Sequence, residues 1–235
     1  MTATELRLRT FDRIVFFTGA GMSAESGVPT YRGKGGIWRE YDFERYACQA
    51  AFDRDPDAVW EFHNFRRGLV AACDPNDGHR LIAELEAHRS NTCVITQNID
   101  GLHQLAGSEQ VTELHGSLWR CRCDQCGAHH TARENPKAPI HCECGAYWRP
   151  DIVWFGDQLE SSNLDAAVAA MKACDLFVSV GTSGVVFPAA DLPLVAKKNG
   201  ATLIEINPDV TPISEVYDVC LRGTASAMLA TLAGD

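Results

Sequence analysis

The 235-residue sequence predicts an α/β fold, a doubly wound parallel sheet with a smaller lobe attached. Three observations carry that expectation. Six short runs, 13–18, 92–96, 111–114, 175–180, 201–206 and 217–221, hold continuous rather than alternating apolar and β-branched residues, as strands buried on both faces do. Helical patterns at 79–88, 164–172 and 190–198 lie between them, so strand and helix alternate. Small polar turns follow four of the runs, and in open α/β sheets that carboxyl edge is where ligands bind.

The first run ends at Gly19-Ala20-Gly21, with a helix expected next. In 79–88, Leu81, Ile82 and Leu85 share one face; 190–198 follows Pro188 and stops at Asn199-Gly200. Two segments depart from the alternation. Residues 33–75 carry Ile37, Trp38, Tyr41, Phe52, Trp60, Phe62 and Phe65 in helical patterns without a convincing strand, and 119–150 hold a cysteine cluster with no sizeable apolar segment. The organisation expected is therefore a sheet domain from 1–32, 76–118 and 151–235, a helical module at 33–75 and a metal-binding module at 119–150. The two modules together form the smaller lobe.

Hydrophobic residues make up 46% and charged residues 22%, which excludes general disorder. A net charge of −10, from 31 acidic and 21 basic residues, argues against nucleic acid as the main partner. No apolar stretch approaches the roughly 20 residues needed to span a bilayer. The opening MTATELRLRTFDR has no apolar run to serve as a secretory signal, so a cytoplasmic protein is expected. Its ten cysteines are then thiols or metal ligands rather than a disulfide framework.

Glycines at 19 and 21 let the backbone approach a phosphate, although a Gly-X-Gly turn after a strand is also an ordinary tight turn. A dehydrogenase fingerprint would continue to a second strand ending in an acidic residue. Here Tyr31-Arg32-Gly33-Lys34-Gly35-Gly36 intervenes and no second strand forms, which disfavours an ordinary nicotinamide dehydrogenase. Cys123-Asp-Gln-Cys126 and Cys142-Glu-Cys144 are two thiolate pairs separated by 15 residues, a set that suits tetrahedral zinc. Cys121 is the alternative ligand if the register shifts by one pair. Four protein ligands leave no open position, so the zinc is expected to be structural. Thr96-Gln97-Asn98-Ile99-Asp100 offers amides and a carboxylate suited to ribose and a carboxamide, or an Asx turn. His115, at the end of the 111–114 run, titrates near neutrality and is a candidate base, although seven other histidines show how little residue type proves. Gly181-Thr182-Ser183 and Asn207-Pro208-Asp209 add two more polar turns at strand ends.

Taken together, GAGMSAESGVPTYRG, TQNIDGLHQLAG, ELHGS, the paired cysteines, RPDIVWFGD, VGTSGVVFPA and EINPD occur in the order found in sirtuins. The chain resembles that family of NAD-dependent protein-lysine deacylases from Thr18 to Ala225, and its length resembles the compact bacterial members. The resemblance implies a Rossmann-like domain, a zinc-bearing lobe, and NAD and an acyl-lysine protein or peptide meeting in the cleft. By matching position, Gly19, Ala20, Gly21, Glu25 and Arg32 would border the dinucleotide, and Gln97, Asn98, Ile99 and Asp100 would handle nicotinamide and its ribose. Gly181, Thr182, Ser183, Asn207 and Ala225 would hold the adenosine half. His115 and Asn98 would be catalytic, with His115 the general base drawing a proton through the ribose hydroxyls. The products implied are free lysine, nicotinamide and an O-acyl-ADP-ribose.

Ile152-Val153-Trp154-Phe155-Gly156 matches the strip that pairs with the substrate backbone as an added strand, with Val153, Phe155 and Gly156 at the substrate and Phe155 walling the acyl-lysine tunnel. Members that remove succinyl and malonyl groups carry Tyr-X-X-Arg in the helical module; this chain has His63-Asn-Phe-Arg66. Arg66 would grip an acyl carboxylate, His63 would donate a second hydrogen bond, and Ala47 would widen the pocket. ADP-ribosyl transfer and NAD hydrolysis share the first chemical step and are the alternatives. A monomer without membrane attachment is expected.

Overall fold

The computed structural model describes residues 7–30, 42–133, 137 and 140–234. In chain order they form β1 (Ile14–Thr18), α1 (Phe43–Tyr46), α2 (Gln49–Arg54), α3 (Pro56–Ala71), α4 (Asp77–His88), β2 (Thr92–Thr96), α5 (Leu102–Ala106) and β3 (Val111–Glu113). Then come β4 (Gly116–Arg122), β5 (His129–Thr131), β6 (Arg149–Ile152), α6 (Ser161–Ala173), β7 (Leu176–Val180), α7 (Leu192–Lys198), β8 (Thr202–Ile206), β9 (Val219–Leu221) and α8 (Ala225–Ala233). Each of the six expected apolar runs contains a strand.

Those six strands form one parallel sheet in the order β3-β2-β1-β7-β8-β9. The chain winds outward from β1 on one side, then returns to β7 and winds outward on the other. The order reverses between β1 and β7, the place where a doubly wound sheet opens a crevice. Successive residues of β1 enter opposite cores, which is why its sequence is apolar throughout. Ile14 and Phe16 pack with Met22, Ile82, Val94 and Leu229 on the face covered by α4 and α8. Val15 and Phe17 pack with Ala167, Met171, Phe177 and Leu192 on the face covered by α6 and α7.

Local chemistry sets the helix ends. Asp55 accepts from the Ala58 N–H at 3.0 Å, with Pro56 at the first helical position of α3. Asn76 caps α4 in a reciprocal box with His79, whose Nδ1 accepts the Asn76 N–H. α7 stops at Asn199, as expected from Asn199-Gly200, and Gly200 takes φ +90°.

The remaining strands form an antiparallel sheet, β5-β4-β6. The sequence did not reveal it: in β4 the run Gly116–Arg122 interleaves arginines with buried Leu118, Trp119 and Cys121 instead of presenting an apolar stretch. Gly116, with φ +76°, turns the chain from the first sheet into the second; a Cβ there would run into the Asp151 carbonyl. The helices of 43–71 share their cores with this sheet. Ala47, Ala51, Val59 and Val70 pack with Leu118, Trp119, Ile152 and Trp154, while Trp60 packs with Cys121, Cys123, Cys142 and Trp148. Among the described residues, no helix is long and apolar enough to cross a membrane.

Candidate active site and metal centre

The loops after β1 and β7 meet backbone to backbone. Gly21 N–H donates to the Gly181 carbonyl at 2.9 Å, and a Cβ on Gly21 would lie 2.6 Å from Gly181 Cα. Side chains are excluded at this contact, so a ligand at the crevice faces main-chain groups. Residues 20–26 form 3-10 turns rather than the α-helix expected after Gly21, closed by Gly27 at φ +87°. Met22 is the segment's one buried apolar side chain, too little to hold a longer helix against the sheet.

A cavity of about 1200 Å³ opens above this contact. Gly19, Ala20, Gly21 and Glu25 line it from the β1 side; Gln97, Asn98 and Ile99 from the β2 side; Gly181, Thr182, Ser183, Asn207 and Ala225 from the far side. Glu25 ties its turn to α8 by accepting the Ser226 N–H at 2.9 Å, and Asn207 donates to the Thr182 carbonyl at 2.8 Å. His115, Ala47, His63, Arg66, Val153, Phe155 and Gly156 line the same cavity. Arg32, placed at the dinucleotide by the sequence, lies outside the described residues. Asp100 is the one described residue of the expected set that does not face this cavity.

Asp100 lines a small second pocket together with Ala20, Asn98 and Ile99. Its carboxylate accepts from Ser23 Oγ at 2.8 Å and from the Leu102 N–H at 2.9 Å. Burial raises its pKa, opposed by those two hydrogen bonds and by Arg133. Asn98 Nδ2 donates to the Gly19 carbonyl at 2.9 Å and to Ser23 Oγ at 3.1 Å, so Oδ1 is the amide's remaining polar atom. Ser23 therefore orients the amide, a role with no local signal beyond its place after Gly21. His79 Nε2 approaches the same hydroxyl at 3.5 Å; burial pulls its pKa down to about 4, with Arg80 adding to the effect.

His115 lies between β3 and β4, where the chain leaves one sheet for the other. Its Nδ1 donates to the Gln97 carbonyl at 2.9 Å, which fixes the tautomer and leaves the lone pair on Nε2. Burial lowers its pKa and the Gln97 bond partly opposes that, so the ring is neutral near pH 7.

On the opposite wall, His63 is buried and its Nε2 accepts from Trp154 Nε1 at 3.3 Å. Burial, then Arg66, holds its pKa well below the ordinary value, and Nδ1 is shut away from solvent. His63 therefore packs as a wall; the expected second hydrogen bond to an acyl carboxylate has no exposed nitrogen to come from. Arg66 is 5% exposed, with its guanidinium 5.7 Å from the centre of the Phe62 ring. In the expected strand-pairing strip, three N–H groups are already engaged: Val153 with the His115 carbonyl at 3.0 Å, Phe155 with the Ala47 carbonyl at 3.1 Å, and Trp154 with Asp157 at 3.0 Å. These bonds hold the strip as a wall between the two sheets, so a pairing peptide must use other main-chain groups than these three donors.

The sulfurs of Cys123, Cys126, Cys142 and Cys144 all lie within 4.8 Å of one another. The pairs Cys123–Cys144 and Cys126–Cys142 stand 3.5 and 3.6 Å apart, close to the roughly 3.8 Å edge of a tetrahedron with Zn–S bonds of about 2.3 Å. Backbone N–H groups, first that of Cys126, pull the Cys123 thiol down to about 7. The four cysteines fit a structural zinc, with every position filled by protein. Cys121 is not the alternative ligand: the four sulfurs that converge are those of Cys123, Cys126, Cys142 and Cys144, and Cys121 is not among them.

Comparison with known proteins agrees with this geometry. The Sir2 family model matches residues 19–188. The chain is 47% identical over 219 residues to an NAD-dependent protein deacylase of Aquifex aeolicus, covering 92% of each. It is 50% identical over 210 residues to one of Aeropyrum pernix, covering 88% of this chain and 86% of that protein. Among solved structures, a Sir2 homolog–NAD complex superposes with a TM-score of 0.88 at 42% identity, covering 99% of this chain and 90% of that one. A Sir2 protein with a deacetylated p53 peptide and 3'-O-acetyl ADP-ribose superposes at 0.85 with 31% identity, covering 96% and 94%. With a parallel sheet reversing at β1 and β7, a glycine-lined crevice there and four converging thiols beside it, the chain belongs to the Sir2 family.

Proposed function

We infer that this chain is an NAD-dependent protein-lysine deacylase that carries one structural zinc. The observation that carries the reading is the convergence on one cavity of three things: the Gly21–Gly181 contact, the Asn98 amide, and a neutral His115 with its lone pair on Nε2. Bound NAD supplies an electrophilic ribose carbon and nicotinamide as leaving group, and the acyl-lysine oxygen is the nucleophile. Asn98, with both amide hydrogens engaged, presents a fixed oxygen to the ligand. Nε2 of His115 accepts a proton from a ribose hydroxyl while Gln97 keeps the ring oriented. Gly19, Ala20, Gly21 and Glu25 border the dinucleotide; Gly181, Thr182, Ser183, Asn207 and Ala225 border its adenosine half. One water is consumed as the acyl carbon parts from the lysine nitrogen, and the products are O-acyl-ADP-ribose, nicotinamide and free lysine.

On the acyl side, Arg66 is the member of the expected pair that would meet the acyl carboxylate, in a pocket that Ala47 keeps wide and Phe155 walls. Removal of acidic acyl groups alongside acetyl groups rests on that guanidinium, because His63 contributes shape rather than a hydrogen bond. We place the protein in the cytoplasm as a monomer; none of its ten cysteines is in a disulfide, and a reducing compartment keeps the four zinc ligands available.

A panel of acetyl-, malonyl- and succinyl-lysine peptides, with and without NAD, tests the reading through nicotinamide release. Peptide-dependent release is expected, whereas equal release without peptide marks an NAD hydrolase. Arg66→Met is expected to lower the succinyl rate by about tenfold or more, given a charge-assisted bidentate contact, and to spare the acetyl rate. An unchanged succinyl rate removes the carboxylate role.

A further inference from the structure

We propose that Arg133, just beyond β5 on the cysteine-bearing side of the molecule, is a positioning residue for the nicotinamide subsite, acting through the Asp100–Gly101 turn. The proposal rests on the assignment of Asn98 to that subsite. The turn leaves the subsite and carries a left-handed residue, Gly101 at φ +69°. Three hydrogen bonds from two side chains hold its carbonyls from outside. Trp119 Nε1 donates to the Asp100 carbonyl at 2.6 Å. Arg133 Nη1 donates to the Asp100 carbonyl at 3.1 Å and the Gly101 carbonyl at 3.2 Å.

The Trp119 indole lies between two guanidiniums, that of Arg133 at 4.8 Å and that of Arg67 at 5.1 Å from the ring. Arg67 reaches in from α3, fully buried, and donates to the Leu118 and Ala132 carbonyls, one on each strand of the hairpin that carries the clamp. Ala132 N–H donates to the Trp119 carbonyl at 2.9 Å, and Leu118 N–H to the Ile99 carbonyl at 2.9 Å, so the hairpin is bonded directly to the segment that carries Asn98. A Cβ at position 101 would collide with the Arg133 guanidinium and the Trp119 ring, which shows how closely the clamp sits on the turn.

The arrangement has a mechanical meaning. Asn98 and Asp100 share Ser23 as hydrogen-bond partner, so a shift of the turn carries the Asp100 carboxylate, then Ser23, then the Asn98 amide. Arg133 is not within the cavity and touches no ligand; it sets where the turn stands. Arg133→Met removes both hydrogen bonds to the turn and keeps the stem.

Nicotinamide inhibition of acyl-peptide turnover is the readout, with zinc content and thermal midpoint measured on the same samples and NAD affinity by calorimetry. Arg133→Met is expected to raise the nicotinamide IC50 by about fivefold or more while KM for the acyl peptide and one zinc per chain are kept; Arg133→Lys is expected to fall between. Trp119→Phe, which removes the indole donor and trims the ring, is expected to shift the IC50 the same way and decides the matter if the methionine variant does not fold. Wild-type IC50 values in the folded variants overturn the proposal. Asn98→Ala separates the two readings: if it retains wild-type nicotinamide sensitivity, the subsite assignment itself is wrong, whereas a defective Asn98→Ala beside normal Arg133→Met and Trp119→Phe removes the clamp alone.

Discussion

His115 shows how one side chain acquires a role from its surroundings. The Gln97 carbonyl fixes its tautomer and burial keeps it neutral. Because burial lowers the pKa, the base stays unprotonated to a more acidic pH than free imidazole, whose pKa is near 6.5. The acid limb of kcat/KM is therefore expected below pH 6.5, and His115→Tyr should lose roughly 10²–10⁴-fold in deacylation rate with circular dichroism unchanged. A variant as active as wild type would falsify the assignment. The place of His115 at the crevice was legible because it stands at a strand end, whereas its role as base comes from the resemblance and is what these measurements test. The partners of Asp100 and His63 were not legible: Ser23 holds the Asp100 carboxylate and Trp154 occupies His63, and neither partner is close in sequence. The same holds for Arg67, Trp119 and Arg133, whose only sequence signal is aromatic and basic residue type.

At the scale of elements, the six strands of the main sheet could be read because both faces are buried and every residue shows it. β4, β5 and β6 could not, since a small sheet covered by helices on one side needs few apolar residues and uses arginine stems and thiols for the rest. The loop after β1 was legible as a phosphate-type turn, but neither its 3-10 structure nor the contact of Gly21 with Gly181 was. Gly21→Ala tests that contact: the added methyl must push apart two backbones, and KM for NAD is expected to rise about tenfold with the acyl-peptide KM little changed. A wild-type KM for NAD would show that the loops have room to part. The cysteine spacing was fully legible, because zinc demands four ligands at short reach whatever the fold around them.

Across the whole molecule, His63, His79 and His103 are buried and all three are depressed by burial. The native state holds them neutral, while the unfolded chain takes up protons below about pH 6.5. The unfolded state therefore binds more protons in that range, and stability is complete above pH 6.5 and declines as pH falls toward the folded value, about 4 for His79. By pH 5 that residue alone contributes a loss on the order of 2 kcal/mol. The urea midpoint is expected to drop steadily from pH 7 to pH 5, with bound zinc assayed alongside to separate metal loss; a flat midpoint at constant zinc would count against it.

Trp60, on α3, fills the interior of the four-cysteine unit, and its indole donates to the Trp148 carbonyl at 2.6 Å. A chimera that transplants residues 119–150 from a relative would thus leave a graft with a foreign ring at its heart or a vacancy where one belongs. Exchange between such proteins has to move the tryptophan-bearing helix together with the metal knot, so these two stretches, though some fifty residues apart in the gene, form one heritable unit.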